Sequence, residues 1–139
     1  MSLNVYLSFN GNCEEAVDFY SKVFETPKSN IMRYGDAPAS EGYIPKEEEK
    51  NLVCHTWLDI MGTMVMFADM PSSEPAKFGN NITITVCTND KEKIKALFDK
   101  MKEGGKVQME LQKTFWSEYY GMVTDKFGIP WQFSHEDKK

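Results

Sequence analysis

Two stretches of this chain read as the same paragraph. LNVYLSF alternates Leu3, Val5, Leu7 and Phe9 with outward positions, the period of a strand. NGNCEEAVDFYSKVF follows, with Ala16, Val17, Tyr20, Val23 and Phe24 on one helical face. Asn12 can cap that helix, Glu15 stands three residues later as in a capping box, and Thr26-Pro27 ends it. The second copy is NNITITVCTNDKEKIKALFDKMKEGG. Ile82, Ile84 and Val86 alternate with Thr83, Thr85 and Cys87. Thr88, Asn89 or Asp90 can cap, Ile94, Leu97, Phe98 and Met101 share a helical face, and Gly104-Gly105 stops the helix.

Three strand-like segments complete each copy. In the first they are SNIMRY, NLVCHTWLDI and TMVMFAD, the last two joined by a hairpin at Met61-Gly62. In the second they are KVQMELQ, YYGMVTD and PWQFSH, the last two joined at Phe127-Gly128. The order βαβββ therefore occurs twice, at a spacing of about 78 residues. The expected fold is α+β: two βαβββ modules, about 1–72 and about 79–139, within one domain, with curled mixed sheets around a cleft. GDAPASEGYIPKEEEK, between Gly35 and Lys50, reads as a mobile loop, and PSSEPAKFGN joins the halves.

A length of 139 residues suits one domain with a real core. The net charge of -5 argues against a nucleic-acid partner. Lys91, Lys93, Lys95, Lys100 and Lys102 alternate with acids and read as a solvated helix face. No apolar run approaches the ~20 residues of a membrane span, and MSLNVYLSFNGN lacks the basic start and long apolar middle of a signal peptide. Cys13, Cys54 and Cys87 are isolated and odd in number. They suggest a reduced, cytoplasmic protein whose thiols pack as small apolar groups.

Three pieces carry a family likeness: YLSFNGNCEEAVDFY, the hairpin HTWLDIMGTMVMFAD with its following MP, and TFWSEYYGMVTDKFGIPW. In order and over nearly the whole chain, they resemble the PhnB-like branch of the glyoxalase/bleomycin-resistance, or vicinal oxygen chelate, superfamily. The resemblance implies paired βαβββ modules and a homodimer. Members of that branch are often called demethylubiquinone methyltransferases, but no glycine-rich nucleotide-binding loop follows a first strand here.

The resemblance also implies a metal site in many members, with His, Glu or Gln on the first and last strands of each module. Carried over by position, the first ligand falls at Val5 or Tyr6. Tyr6 is preferred because it leaves Leu7 and Phe9 facing the helices. The others fall near Met66, near Asn81 and at Gln132. Only Gln132 is a ligand type of the family, and the set offers no charge to a divalent transition metal. The expectation is no metal and no cofactor.

Strand alternation places the cleft-facing groups. If Leu58 and Ile60 pack on the helices, His55, Trp57 and Asp59 point the other way, joined by Tyr6, Ser8, Asn81, Thr83 and Gln132. Aromatic walls with a few polar groups suit a small-molecule ligand. His55 could be a general base or a single metal ligand, against the plainer reading of a half-buried strand histidine bonded to a neighbour. His135 reads as a surface residue. Glu118, in FWSEYYG, could be a general acid/base or an orienting acceptor, although loop glutamates usually only face solvent. Asp125, in TDKFG, reads as a turn residue. Phe115 and Trp116 precede their strand and are expected to close the cleft or a dimer contact. Trp131 and Phe133 are expected to face the helices. Of Met61, Met64, Met66 and Met70, at least half are expected in the core.

These readings converge on a small-molecule-binding protein with a metal-free cleft, with or without turnover. Two alternatives stand beside it. One is a metal-dependent lyase, isomerase or dioxygenase recruiting His55, Glu118 and Gln132. The other is a sequestering protein of the resistance type.

Overall fold

The strand–helix alternation takes the expected form in the computed structural model, which describes residues 1–36 and 45–137. Much of the loop read over Gly35–Lys50 lies outside the described residues. The chain divides into two compact units, Met1–Lys77 and Phe78–Lys139.

The first unit contains β1 (Val5–Phe9), α1 (Cys13–Phe24), β2 (Met32–Arg33), β3 (Val53–Ile60) and β4 (Thr63–Asp69). Its mixed sheet has the order β1-β4-β3-β2, with β1 parallel to β4 and the other pairs antiparallel. SNIMRY supplies only the two-residue β2. A short 3-10 turn at Tyr34–Asp36 follows it. Ala16, Val17, Tyr20 and Val23 bury one face of α1 against β3 and β4. There Tyr20 and Phe9 each stack on Phe67, with ring centroids 5.8 and 6.4 Å apart. Leu58 and Phe67 are fully buried on this side.

The capping of α1 departs from the capping-box reading. Asn12 makes no side-chain cap bond. The buried carboxylate of Asp69, at the end of β4, takes that role. Its Oδ1 accepts from the Gly11 and Cys13 amides at 2.7 and 3.0 Å, and its Oδ2 accepts from the Val53 amide at 3.0 Å. A carboxylate beside the helix N-terminus satisfies orphan donors and complements the dipole. At the other end, Glu25 closes the helix in a left-handed conformation ahead of Pro27.

The second unit contains β5 (Ile84–Thr88), α2 (Lys91–Met101), β6 (Lys106–Gln112), β7 (Tyr120–Thr124) and β8 (Pro130–His135). The sheet order is β5-β8-β7-β6, with β5 parallel to β8. Of the three candidate caps Asp90 is the one used, accepting from the Lys93 amide at 3.1 Å. Ile94, Leu97, Phe98 and Met101 are all buried, and Trp131 and Phe133 are fully buried on the helix side. Gly121 allows the close approach of α2 to β7, since a Cβ there would stand 2.9 Å from both Phe98 Cε2 and Leu111 Cδ2.

Asp125 organises the β7–β8 turn. Its Oδ1 accepts from the Phe127 and Ile129 amides at 2.8 and 3.1 Å, and its Oδ2 accepts from the Trp131 indole at 2.9 Å. The structural role read from Asp-x-x-Gly is therefore present, with a buried indole added to it.

Candidate functional site

In the first unit the sheet register sets a row across three strands. Tyr6 of β1 stands beside Met66 of β4, and Met66 beside Trp57 of β3. All three point away from α1, because their neighbours Leu7, Phe67 and Leu58 fill the opposite face. Ser8 and His55 occupy the same open face two residues along. The rings of Tyr6 and His55 lie 5.9 Å apart, tilted by 44°. Tyr6 is 49% and Trp57 40% exposed, so large aromatic surface remains available within this unit. Burial, and after it the neighbouring Cys54 and Cys13, push the Tyr6 phenol above its ordinary pKa. Tyr6 is therefore a hydrogen-bond donor at neutral pH.

Two expectations for this face change. Asp59 is exposed and turns its carboxylate to the hairpin, accepting from the Gly62 amide at 2.8 Å. None of the four methionines is a core residue: Met61 and Met64 are exposed, and Met66 and Met70 are half-buried. Met64 and Met66 share the phase of Tyr6, and Val65 and Phe67 take the core positions between them.

In the second unit the anchor is Gln132. Its Nε2 donates to Thr83 Oγ1 at 2.7 Å, and its Oε1 accepts from the Tyr120 hydroxyl. Tyr120 in turn packs edge-on against Trp116, which packs edge-on against Phe115. Burial raises the Tyr120 phenol pKa and keeps it a donor. Tyr120 carried no assigned role in the sequence, although its β7 phase places it one ladder step from Gln132. Asn81 is a correction: it precedes β5 and is exposed, and the residue in register with Gln132 is Thr85. The strand begins later than the alternation suggested, and Ile82 is 76% exposed.

Phe115, Trp116 and Glu118 belong to the loop between β6 and β7. With the strand end His135–Asp137, the loop Lys113–Glu118 lines a basin of about 550 Å³. Glu118 lies 3.8 Å from the Lys113 ammonium. His135 is half-buried in this wall rather than a plain surface residue. Its amide donates to the Tyr119 carbonyl at 2.8 Å, and it pairs with Thr88. His55 and Glu118 stand in different units, each with its own surroundings.

Four positions paired in register, Tyr6 of β1 with Met66 of β4 and Thr85 of β5 with Gln132 of β8, carry a phenol, a thioether, a hydroxyl and an amide. The amide of Gln132 is already engaged at both ends. Among the described residues, no group of three or more His, Cys, Asp or Glu side chains is arranged to hold a metal ion. These residues do not fit a divalent transition metal, which needs imidazole, thiolate or carboxylate donors.

Two mixed sheets, each backed by one helix and each leaving its other face open, define the class. The chain matches the Glyoxalase/Bleomycin resistance protein/Dioxygenase superfamily over residues 2–133 and belongs to it. Within that superfamily its relatives are PhnB-like. Protein YjdN of Escherichia coli is 31% identical over 141 residues, covering 96% of this chain and 95% of its own. The structure of PA1353 from Pseudomonas aeruginosa is 32% identical with a TM-score of 0.85, covering 99% of this chain and 100% of that one. A PhnB protein from Bacillus cereus is 25% identical with a TM-score of 0.79, covering 98% and 100%. The fosfomycin resistance protein FosX from Listeria monocytogenes shares the fold at 8% identity, with a TM-score of 0.66, covering 96% and 91%. Among the described residues no helix is long and apolar enough to cross a membrane.

Proposed function

We propose that this chain binds a small organic molecule, in part aromatic and in part polar, without a transition metal. The observation that carries this reading is the donor set at the four strand positions, above all Gln132 with its amide engaged by Thr83 and Tyr120. In the first unit the ligand-facing groups are Tyr6, Ser8, His55, Trp57 and Met66. In the second they are Thr83, Gln132, Phe115, Trp116 and Glu118. Neutral donors beside aromatic and thioether surface suit an organic ligand without a phosphate or other anionic group.

The described residues of the open face of the first sheet contain one imidazole, His55, which gives the protein one candidate general base near neutral pH. Glu118 is the corresponding carboxylate of the second unit. Turnover of a bound ligand would make the chain an enzyme, and binding alone would make it a sequestering protein. The reading includes a homodimer, as the usual family assembly, and a reducing compartment such as the cytoplasm, consistent with three free cysteines.

Elemental analysis of untagged protein tests the metal half. The expected result is no stoichiometric metal, and one Zn, Ni, Mn or Fe per chain would overturn it. Thermal-shift screening against a small-molecule panel tests the binding half. Hits should weaken in Tyr6→Phe or His55→Asn; hits indifferent to both would overturn the assignment of this face.

A further inference from the structure

The β6–β7 loop is built to hold two aromatic rings in solvent. The Ser117 amide donates to Thr114 Oγ1 at 3.1 Å, and the Thr114 amide donates to the Ser117 carbonyl at 2.9 Å. The buried Ser117 hydroxyl lies 3.1 Å from the Tyr119 carbonyl and 3.0 Å from that of His135, which ties the loop to the end of β8. On this support Phe115 is 96% and Trp116 54% exposed. Their ring centroids are 4.7 Å apart at 86°, and Tyr120 backs Trp116 from 5.2 Å at 76°. The two rings meet edge to face, and both keep ring surface open to solvent. Rings held out by a hydrogen-bonded loop, beside a basin of about 550 Å³, are a recognition feature rather than a packing residue.

The charge at this corner selects the occupant. Glu118, Glu136 and Asp137 face the basin, and among the described residues Lys113 is its one lysine or arginine. Lys113 lies beside Glu118 at 3.8 Å, so among the described residues that line the basin Glu136 and Asp137 have no lysine or arginine partner. Glu136 also accepts from the Cys87 thiol, a neutral donor that leaves its charge in place. A hard metal ion would need carboxylates converging on one point, and these do not converge. Ring faces and dispersed negative charge together suit a weakly hydrated cation with an apolar shell.

We infer that this basin binds an organic cation of the quaternary-ammonium type, its head in the Phe115–Trp116 corner and its charge opposite Glu136 and Asp137. This rests on the proposed ligand-facing role of that loop and adds the ligand class. Choline and its neutral carbon isostere, 3,3-dimethylbutan-1-ol, are the probes, titrated calorimetrically into the full chain at low salt. Choline is expected to bind about tenfold tighter than the alcohol and to weaken as salt rises. Trp116→Ala and the double variant Glu136→Gln/Asp137→Asn should each lose most of that preference. Both change exposed surface groups, and unchanged thermal unfolding confirms that the variants are folded.

Equal affinity for choline and the alcohol would overturn the cation inference while leaving small-molecule binding intact. Binding of neither probe would also overturn it, and the panel read at Tyr6 and His55 decides the broader reading separately. The same holds if Trp116→Ala turns a dimer into a monomer while neither probe binds: the rings would then serve a second copy of the chain.

Discussion

One buried aspartate, Asp69, does what the sequence attributed to a local capping box. Asp69 collects the amides of Gly11, Cys13 and Val53, so one side chain joins the start of α1, the start of β3 and the end of β4. Asp69→Asn keeps the shape but removes the charge and one acceptor oxygen. The expected loss is about 2–4 kcal/mol of unfolding free energy, read by urea denaturation. A loss below about 0.5 kcal/mol, the range of a neutral surface change, would show that the helix does not depend on it. Burial, then the Asp69 and Glu14 charges, hold the Cys13 thiol far above its ordinary pKa, so Cys13 is inert while the unit is folded. Glu49 adds a pH term. It accepts from the Ser72 amide at 2.9 Å, and that bond holds its carboxyl below the ordinary value of 4.5. A lowered folded-state pKa stabilises above the unfolded value and is lost as pH falls through the folded one. The stability advantage of the wild type over Glu49→Gln should therefore be full above pH 4.5 and shrink below it. An advantage that stays constant across that range would contradict the Ser72 contact.

At the scale of the element, the β3–β4 hairpin sets the phase of the first site. Met61 and Gly62 both take positive φ, 52° and 90°, as a two-residue turn between twisted strands requires. The turn locks the register Ile60 to Thr63 and Trp57 to Met66, which sends Leu58 inward and Trp57 outward. Leu58→Asp should cost more than about 3 kcal/mol, because an unpaired charge enters the core. His55→Asn and Trp57→Ala should cost much less, since Trp57 is 40% exposed, yet weaken ligand binding. Thermal unfolding of the three variants, with ligand shifts alongside, makes the comparison. If His55→Asn unfolds the protein as severely as Leu58→Asp, His55 is a core residue and the open-face assignment fails.

For the whole molecule, the proposed homodimer has a direct measurement. Sedimentation at micromolar concentration should give a species of twice the 16.0 kDa chain mass. A stable specific interface of that kind buries roughly 1,600 Å² in total. Met32 and Met64 in one unit, and Ile82 in the other, supply exposed apolar surface for it. A single species of 16.0 kDa would remove the dimer from the proposal.

What the sequence determined by itself was the helix faces and the core phase of the central strands, both set by local period. Ile94, Leu97, Phe98 and Met101 share a helical face by spacing alone, and all are buried. Trp131, Phe133, Leu58 and Ile60 take the core side of their strands for the same reason. The helix and strand order was likewise legible, because apolar periods of 3.6 and 2 are written in neighbouring residues. Tertiary structure decided whatever depends on pairing between distant residues. Asn81 falls before β5, which begins at Ile84, and Thr85 stands opposite Gln132 where β5 meets β8. Asp69, not Asn12, satisfies the start of α1 across 56 residues of chain. Tyr120 and Gln132 meet only because β7 folds back on β8. The methionines of the first hairpin looked like core by composition, but Val65 and Phe67 hold the inward phase and leave them outside. Alternation shows which residues share a strand face, and only pairing with a distant element decides what stands beside them.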